Sequence, residues 1–167
     1  MIATILEIER FKFKNVHFYT ILVSSRPRAE FQDFVDRMSK KCPGQLGELL
    51  QFIDEIGQKY NVEENHFRHE RNSHALPPHY IHLAANDSDE QTEFGLRLYC
   101  CRFTPSIVVL YNGDLKTTQL PNDCPNVSKH FSFALDATRK IDQARNDDYI
   151  RFDGNEIHVD EEFIFEI

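Results

Sequence analysis

The sequence predicts an α+β domain: an antiparallel sheet with an N-terminal helical hairpin and a C-terminal helix packed on one face, followed by an acidic, β-rich extension. Three observations carry this. Runs rich in β-branched and aromatic residues, bounded by Asn, Gly and Pro, lie on both sides of a central polar stretch. Two adjoining segments, Phe31–Met38 and Leu46–Ile56, repeat apolar residues at helical spacing. Residues 146–167 then hold Asp147, Asp148, Asp153, Glu156, Asp160, Glu161, Glu162 and Glu166 against Arg151 alone.

Taken in order, Ile2–Ile8 reads as a first strand and Val16–Ser24 (VHFYTILVS) as a second, closed by Pro27. Ser25 and Pro27 introduce an amphipathic helix with Phe31, Phe34, Val35 and Met38 on one stripe. Cys42-Pro43-Gly44 breaks that pattern briefly before Leu46, Leu49, Leu50, Ile53 and Ile56 resume it, so two antiparallel helices are expected, ending near Tyr60-Asn61. From Val62 to Pro78 the periodicity dissolves into a polar stretch rich in histidine, expected as a loop or an irregular edge. Strands are expected at Tyr80–Ala84, Phe94–Phe103 and Ser106–Tyr111, the last two forming a hairpin through Thr104-Pro105. The acidic run Asn86–Glu93 separates the first from the second. Asn112-Gly113-Asp114 is a turn signal, with a short strand expected at Leu115–Leu120. Asn126 or Ser128 caps a last helix bearing Phe131, Phe133, Ala134, Leu135, Ala137 and Ile141, ending by Asn146. Asp153-Gly154-Asn155 then closes a C-terminal hairpin.

A chain of 167 residues with 41% apolar residues makes one domain, divisible into an N-terminal extension (1–15), a core (16–145) and the acidic hairpin (146–167). This composition excludes disorder and collagen. No run approaches the roughly 18–20 apolar residues of a membrane span, and the first residues reach Glu7 and Glu9 without a signal-peptide core. The expected location is therefore the cytoplasm, with no membrane partner. Cys42, Cys100, Cys101 and Cys124 are expected as reduced thiols, and the adjacent pair points to opposite faces of its strand rather than forming a metal knuckle. Most of the net charge of −8 belongs to the tail, so any nucleic-acid contact would need a local basic patch on a near-neutral body.

The order of elements, with the words FGLRLYCCRF, SIVVLYNGDLKTTQ and FSFALDATRKID, resembles the RelE/ParE toxin superfamily, in particular its phage-derived, HigB-like branch, over residues 16–145. The shared pattern is an arginine-bearing strand (Leu96-Arg97-Leu98-Tyr99), an apolar strand (Ile107–Leu110), a glycine turn, a lysine-bearing stretch (Lys116-Thr117-Thr118) and a C-terminal helix. The resemblance implies a toxin of a toxin–antitoxin system, acting as a ribosome-associated mRNA endoribonuclease or, in the ParE branch, on gyrase, with a small antitoxin protein as partner.

Cleavage of RNA through attack by the 2′-hydroxyl requires a base, an acid and cations for the developing charge, and no metal or other cofactor. Arg97, Lys116, Tyr99 and His130 are the candidate catalytic residues. Arg102, Tyr111, Arg68 and Arg71 are candidates for RNA binding, with Lys129 as a further cation. Alternation along the strand places Arg97, Tyr99 and Cys101 opposite Leu96, Leu98 and Cys100, so if the leucines meet the helices, Arg97 and Tyr99 face an open side. The bland reading of the same residues is a solvated sheet face with cross-strand charge pairs.

His66, His69, His74, His79 and His82, with Glu70, form a second constellation of potential metal ligands, but no HExxH spacing is present and Pro77-Pro78 divides the group. The expectation is a polar loop and no bound metal. The acidic tail is expected either to cover a sheet edge or to lie over Arg97, Arg102 and Lys116 as an internal mask. The competing functional reading is a non-catalytic protein–protein interaction module on the same scaffold.

Overall fold

The computed structural model describes residues 1–83, 95–117 and 124–167. Strands β1 (Ala3–Lys12) and β2 (His17–Val23) open the chain, followed by helices α1 (Glu30–Lys41) and α2 (Pro43–Gly57). Short strands β3 (Arg68–Glu70) and β4 (Ser73–Leu76) come next, then long strands β5 (Gly95–Thr104) and β6 (Ile107–Lys116). Helix α3 (Ser128–Asn146) leads into β7 (Ile150–Asp153) and β8 (Glu156–Val159).

The helices form where their patterns say they should. Phe31, Phe34 and Met38 fall on one face of α1 and are buried, while Glu30 and Asp33 at its start and Lys40 and Lys41 at its end complement the helix dipole. Pro43 opens α2 at a position where its missing N–H costs nothing, and only Cys42 separates the two helices. In α3 the buried stripe is Phe131, Ala134, Ala137, Ile141 and Ala144, whose small side chains let the helix lie close to the sheet.

Among the described residues the main sheet has six strands in the order β1-β2-β6-β5-β4-β3. It is mixed rather than antiparallel, because β2 pairs with β6 in parallel (His17 with Ile107, Tyr19 with Val109) while the other neighbours run antiparallel. Helices α1 and α2 cover one face, meeting Phe18, Leu96, Leu98, Val108 and Leu110. Helix α3 covers the other, meeting Tyr19, Tyr99, Val109 and Tyr111. The expectation that all helices share one face is thus corrected. Strands β2 and β6 are buried nearly throughout, as two covered faces require.

Other expectations shift for local reasons. Of the two readings for the polar stretch 62–78, the edge is the one found: it holds the β3–β4 hairpin at one side of the sheet, with Arg71 at φ 56° in its turn. Residues 80–83 form no strand. Ala84, the acidic run 86–93, Phe94 and residues 118–120 lie outside the described residues. Asn112-Gly113-Asp114 is not a turn but part of β6, because α1 supplies the partners a turn would have supplied. Asn112 Nδ2 donates to Glu30 Oε2 at 3.0 Å and Asp33 Oδ2 at 2.9 Å, and Arg37 Nη1 donates to Asp114 Oδ2 at 2.8 Å. Gly113 is needed for contact, since an added Cβ would lie 1.7 Å from the Arg97 carbonyl oxygen across the ladder.

The C-terminal hairpin forms as expected, β7 against β8, and packs under the β1–β2 end. Tyr19 anchors it: the hydroxyl donates to the Asn155 carbonyl at 2.7 Å and accepts from the Ile157 N–H at 3.2 Å. Beyond it the chain returns to β1, where Ala3 N–H donates to the Phe165 carbonyl at 2.7 Å and Ile167 N–H to the Met1 carbonyl at 2.9 Å. The tail therefore covers part of the β1 edge.

Gly113→Ala is expected to destabilise the protein by about 2–3 kcal/mol, because backbone on the neighbouring strand cannot yield to a new methyl group. In contrast, Gly47→Ala, on an exposed part of α2 with open space around it, is expected to stabilise by about 0.5–1 kcal/mol. Urea unfolding of the two variants beside the parent measures both.

Candidate functional site

Three of the four residues expected to carry catalysis do meet, but around a buried carboxylate. Glu70, on β3, receives Arg97 Nε at 3.2 Å and Lys116 Nζ at 3.0 Å on one oxygen and the Tyr99 hydroxyl at 3.2 Å on the other. Alternation along β5 does separate Arg97 and Tyr99 from Leu96 and Leu98, yet the side they share is covered by α3 and is not open. Arg97 is 2% exposed and Lys116 6%. Burial and the adjacent Glu70 both push the Tyr99 hydroxyl far above its usual range, so it holds its proton and serves as a donor. The group is a buried ion cluster in which both cations and the tyrosine hydroxyl are directed at Glu70.

Cys124, at the base of α3, belongs to the same side and was not singled out by sequence spacing. Burial opposes its ionisation, but hydrogen bonds from the Thr117 hydroxyl, the Thr117 N–H and the N–H groups of Asn126 and Val127 outweigh it and bring the thiol down to about 7. Cys100, Cys101 and Cys124 are free thiols.

The RNA-binding candidates are dispersed. Arg68 is buried and donates to the Pro77 carbonyl at 3.1 Å, with burial lowering its pKa to about 10. Tyr111 is buried on the α3 face with its hydroxyl 2.8 Å from Thr138 Oγ1. Arg71 is exposed in the β3–β4 turn. Arg102 donates to the Val62 carbonyl at 3.0 Å and to Glu64 Oε1 at 2.8 Å. Among the described residues Arg97 and Lys116 pair with Glu70 and Arg102 with Glu64, all in the body, while the long-range hydrogen bonds of the tail run to the β1–β2 hairpin and the chain start. The masking role is not what the geometry provides.

Of the histidines, His69 and His74 approach one another across the β3–β4 pair, and their ring atoms with a Glu64 oxygen lie within 4.8 Å of one another. His66 instead closes the 3-10 turn Glu64–His66 by accepting the Glu63 N–H on Nδ1 at 2.9 Å. His74 Nδ1 accepts the Arg102 N–H at 3.0 Å, which puts the imidazole proton on Nε2, and Glu64 is engaged by Arg102. Those bonds make the trio a hydrogen-bonded clasp between strands, with no free nitrogen lone pair on His74.

The fourth catalytic candidate, His130, stands apart at the first turn of α3. It lines a pocket of about 750 Å³ between α1, the segment preceding it and α3, together with Arg26, Arg28, Arg37, Lys40 and Lys129 and the acids Asp33 and Asp36. Arg26 pairs with Glu30, Arg28 with Asp36, and Arg37 with Asp33 and Asp114. Among the described residues Lys40 and Lys129 make no ion pair. His130 is 6% exposed and its Nε2 is buried with no hydrogen-bond partner. Burial, reinforced by Arg37 and Lys129, pulls its pKa down to about 4. Here the fold concentrates positive charge on an acidic protein. No family model, curated protein or solved structure matches the chain.

Glu70→Gln is expected to cost about 3–5 kcal/mol, since Arg97 and Lys116 then stay buried without their counter-charge. Tyr99→Phe removes only one hydrogen bond and is expected to cost about 1 kcal/mol. Denaturant midpoints of the two variants give the comparison. A pH dependence follows from His130: below pH 6.5 the unfolded chain takes up a proton that the native imidazole refuses until about pH 4. Its contribution is full above pH 6.5 and falls as pH drops through that window. His130→Gln is therefore expected to lose about 2–3 kcal/mol less than the parent between pH 6.5 and 4, in urea titrations in phosphate-free buffer.

Proposed function

We propose that this chain is a non-catalytic interaction module whose contact surface is the basic pocket between α1 and α3, and whose partner is a protein offering negative charge there. One observation carries the reading: three of the cations expected to serve phosphate chemistry are held by carboxylates of the protein itself, Arg97 and Lys116 by Glu70 and Arg102 by Glu64, whereas among the described residues Lys40 and Lys129 of the pocket make no ion pair. The metal-independent endoribonuclease implied by the RelE/ParE resemblance needs base, acid and cations open to one substrate. Here His130 lies in the pocket while Tyr99 is buried in the Glu70 cluster. An RNA strand is disfavoured as partner because the net charge of −8 repels a long polyanion, whereas five cations gathered at one pocket suit a short, local anion.

The test uses two probes, an end-labelled 30-nucleotide RNA and a fluorescein-labelled, aspartate-rich dodecapeptide. The purified chain is expected to leave the RNA intact over hours and to bind the peptide, with Lys40→Glu/Lys129→Glu weakening binding at least tenfold. RNA cleavage lost in Lys116→Met, with that variant still folded by circular dichroism, would overturn the reading.

A further inference from the structure

We infer that the pocket between α1 and α3 is a phosphate site, taking a dianionic phosphate monoester such as a phosphorylated side chain of the protein partner. This rests on the interaction-module reading and names the group recognised. Four features of the pocket combine.

First, α3 begins without a cap. Val127 stands at the N-cap position with no side-chain hydrogen bond, and the first turn holds no acid. Helix starts ordinarily carry an Asp, Glu or capping hydroxyl because the exposed N–H groups there hold partial positive charge. This one carries Lys129 instead, raising the positive potential at the place where it is already highest. The Cys124 carbonyl takes the Ser128 N–H at 3.0 Å, which leaves the N–H groups of Lys129 and His130 to meet an anion at the start of this 19-residue helix.

Second, His130 has a polar atom without a partner. Its ring is nine-tenths buried and lines the pocket, and nothing among the described residues bonds Nε2. A buried nitrogen left unsatisfied is costly, and a ligand oxygen or hydroxyl in the pocket removes that cost.

Third, the charge count fits a dianion. Around the pocket Arg26, Arg28 and Arg37 are each answered by carboxylates, namely Glu30, Asp36, Asp33 and Asp114, the last shared with Lys41. Lys40 and Lys129 remain, two positive charges for which a single carboxylate supplies half the neutralisation and a phosphate monoester nearly all. Fourth, the arginines are already oriented. Arg37 is fixed by Asn112 at 2.5 Å, the Gly113 carbonyl at 2.7 Å and Asp114, so the pocket wall does not have to be ordered when the ligand arrives.

The test follows 1H–15N correlation spectra of the full chain, in phosphate-free buffer, during titration with three probes. These are the pentapeptide Gly-Gly-phosphoserine-Gly-Gly, its unphosphorylated form, and inorganic phosphate. The phosphopeptide and inorganic phosphate are expected to shift Lys129, His130 and the His130 ring, with the phosphopeptide at least tenfold tighter than the plain peptide. Lys40→Glu/Lys129→Glu, two exposed positions that the fold does not need, is expected to abolish those shifts. Equal binding of the two peptides, or shifts that avoid the start of α3, would overturn the phosphate site while leaving an acidic-partner module standing. Displacement of the phosphopeptide by a 20-nucleotide RNA at lower concentration than by inorganic phosphate would overturn both.

Discussion

Glu70 is the one carboxylate on which half of the sheet depends. It sits on β3, the outermost strand, and reaches across β4 to Arg97 and Tyr99 on β5 and to Lys116 on β6. Burying two cations is favourable only where a counter-charge meets them at hydrogen-bond distance, because neither keeps its water. The short β3–β4 hairpin has few backbone bonds of its own, so this ion cluster, together with the clasp of Glu64, His69, His74 and Arg102, fixes where it lies. The same cluster explains why the arginine and lysine of β5 and β6 are unavailable to a substrate.

Much of the fold was legible because periodicity reports burial directly. The stripe of α1, the stripe of α2, the β5–β6 hairpin through Thr104-Pro105 and the Asp153-Gly154-Asn155 hairpin all stand where their patterns place them. The two faces of β5 were legible as well, but whether a face is open depends on where a distant helix docks, and α3 brings its alanines onto it from thirty residues away. Charged residues misled for the same reason. Arg97, Tyr99 and Lys116 read as solvent-facing because their partner, Glu70, lies in a segment without periodicity. The Asn112-Gly113-Asp114 turn signal failed because α1 satisfies those side chains from outside the strand. Of the pocket, only His130 and Lys129 were picked out from sequence; its arginines come from α1 and the segment before it and join them only once helices on opposite faces are in place.

That origin gives the pocket its character. It is lined by α1, the segment before it, Asn112 of β6 and the start of α3, so it is bounded by two helices with opposite electrostatic habits. Helix α1 offers a carboxylate for almost every cation, as an ordinary surface helix does, while α3 offers cations at the end where acids belong. The surplus of positive charge is therefore local, built by a helix start and not by composition, and it coexists with an acidic tail that packs elsewhere.

The tail's return to β1 sets an order of events in the folding of the chain. The bridge between Ile2 and Glu166 closes a loop of more than one hundred and sixty residues, whereas the β5–β6 hairpin closes across two. Loop-closure entropy makes the short contact early and the long one late. Until residues 163–167 arrive, the start of β1 presents unpaired backbone to every other copy in solution, and what then covers it is the bridge at Ile2 with the bonds of Ala3 and Ile167. The chain thus carries its own edge protector as its last-assembled part, and an excursion that opens this seam exposes a strand able to pair with a neighbour while the two cores stay intact.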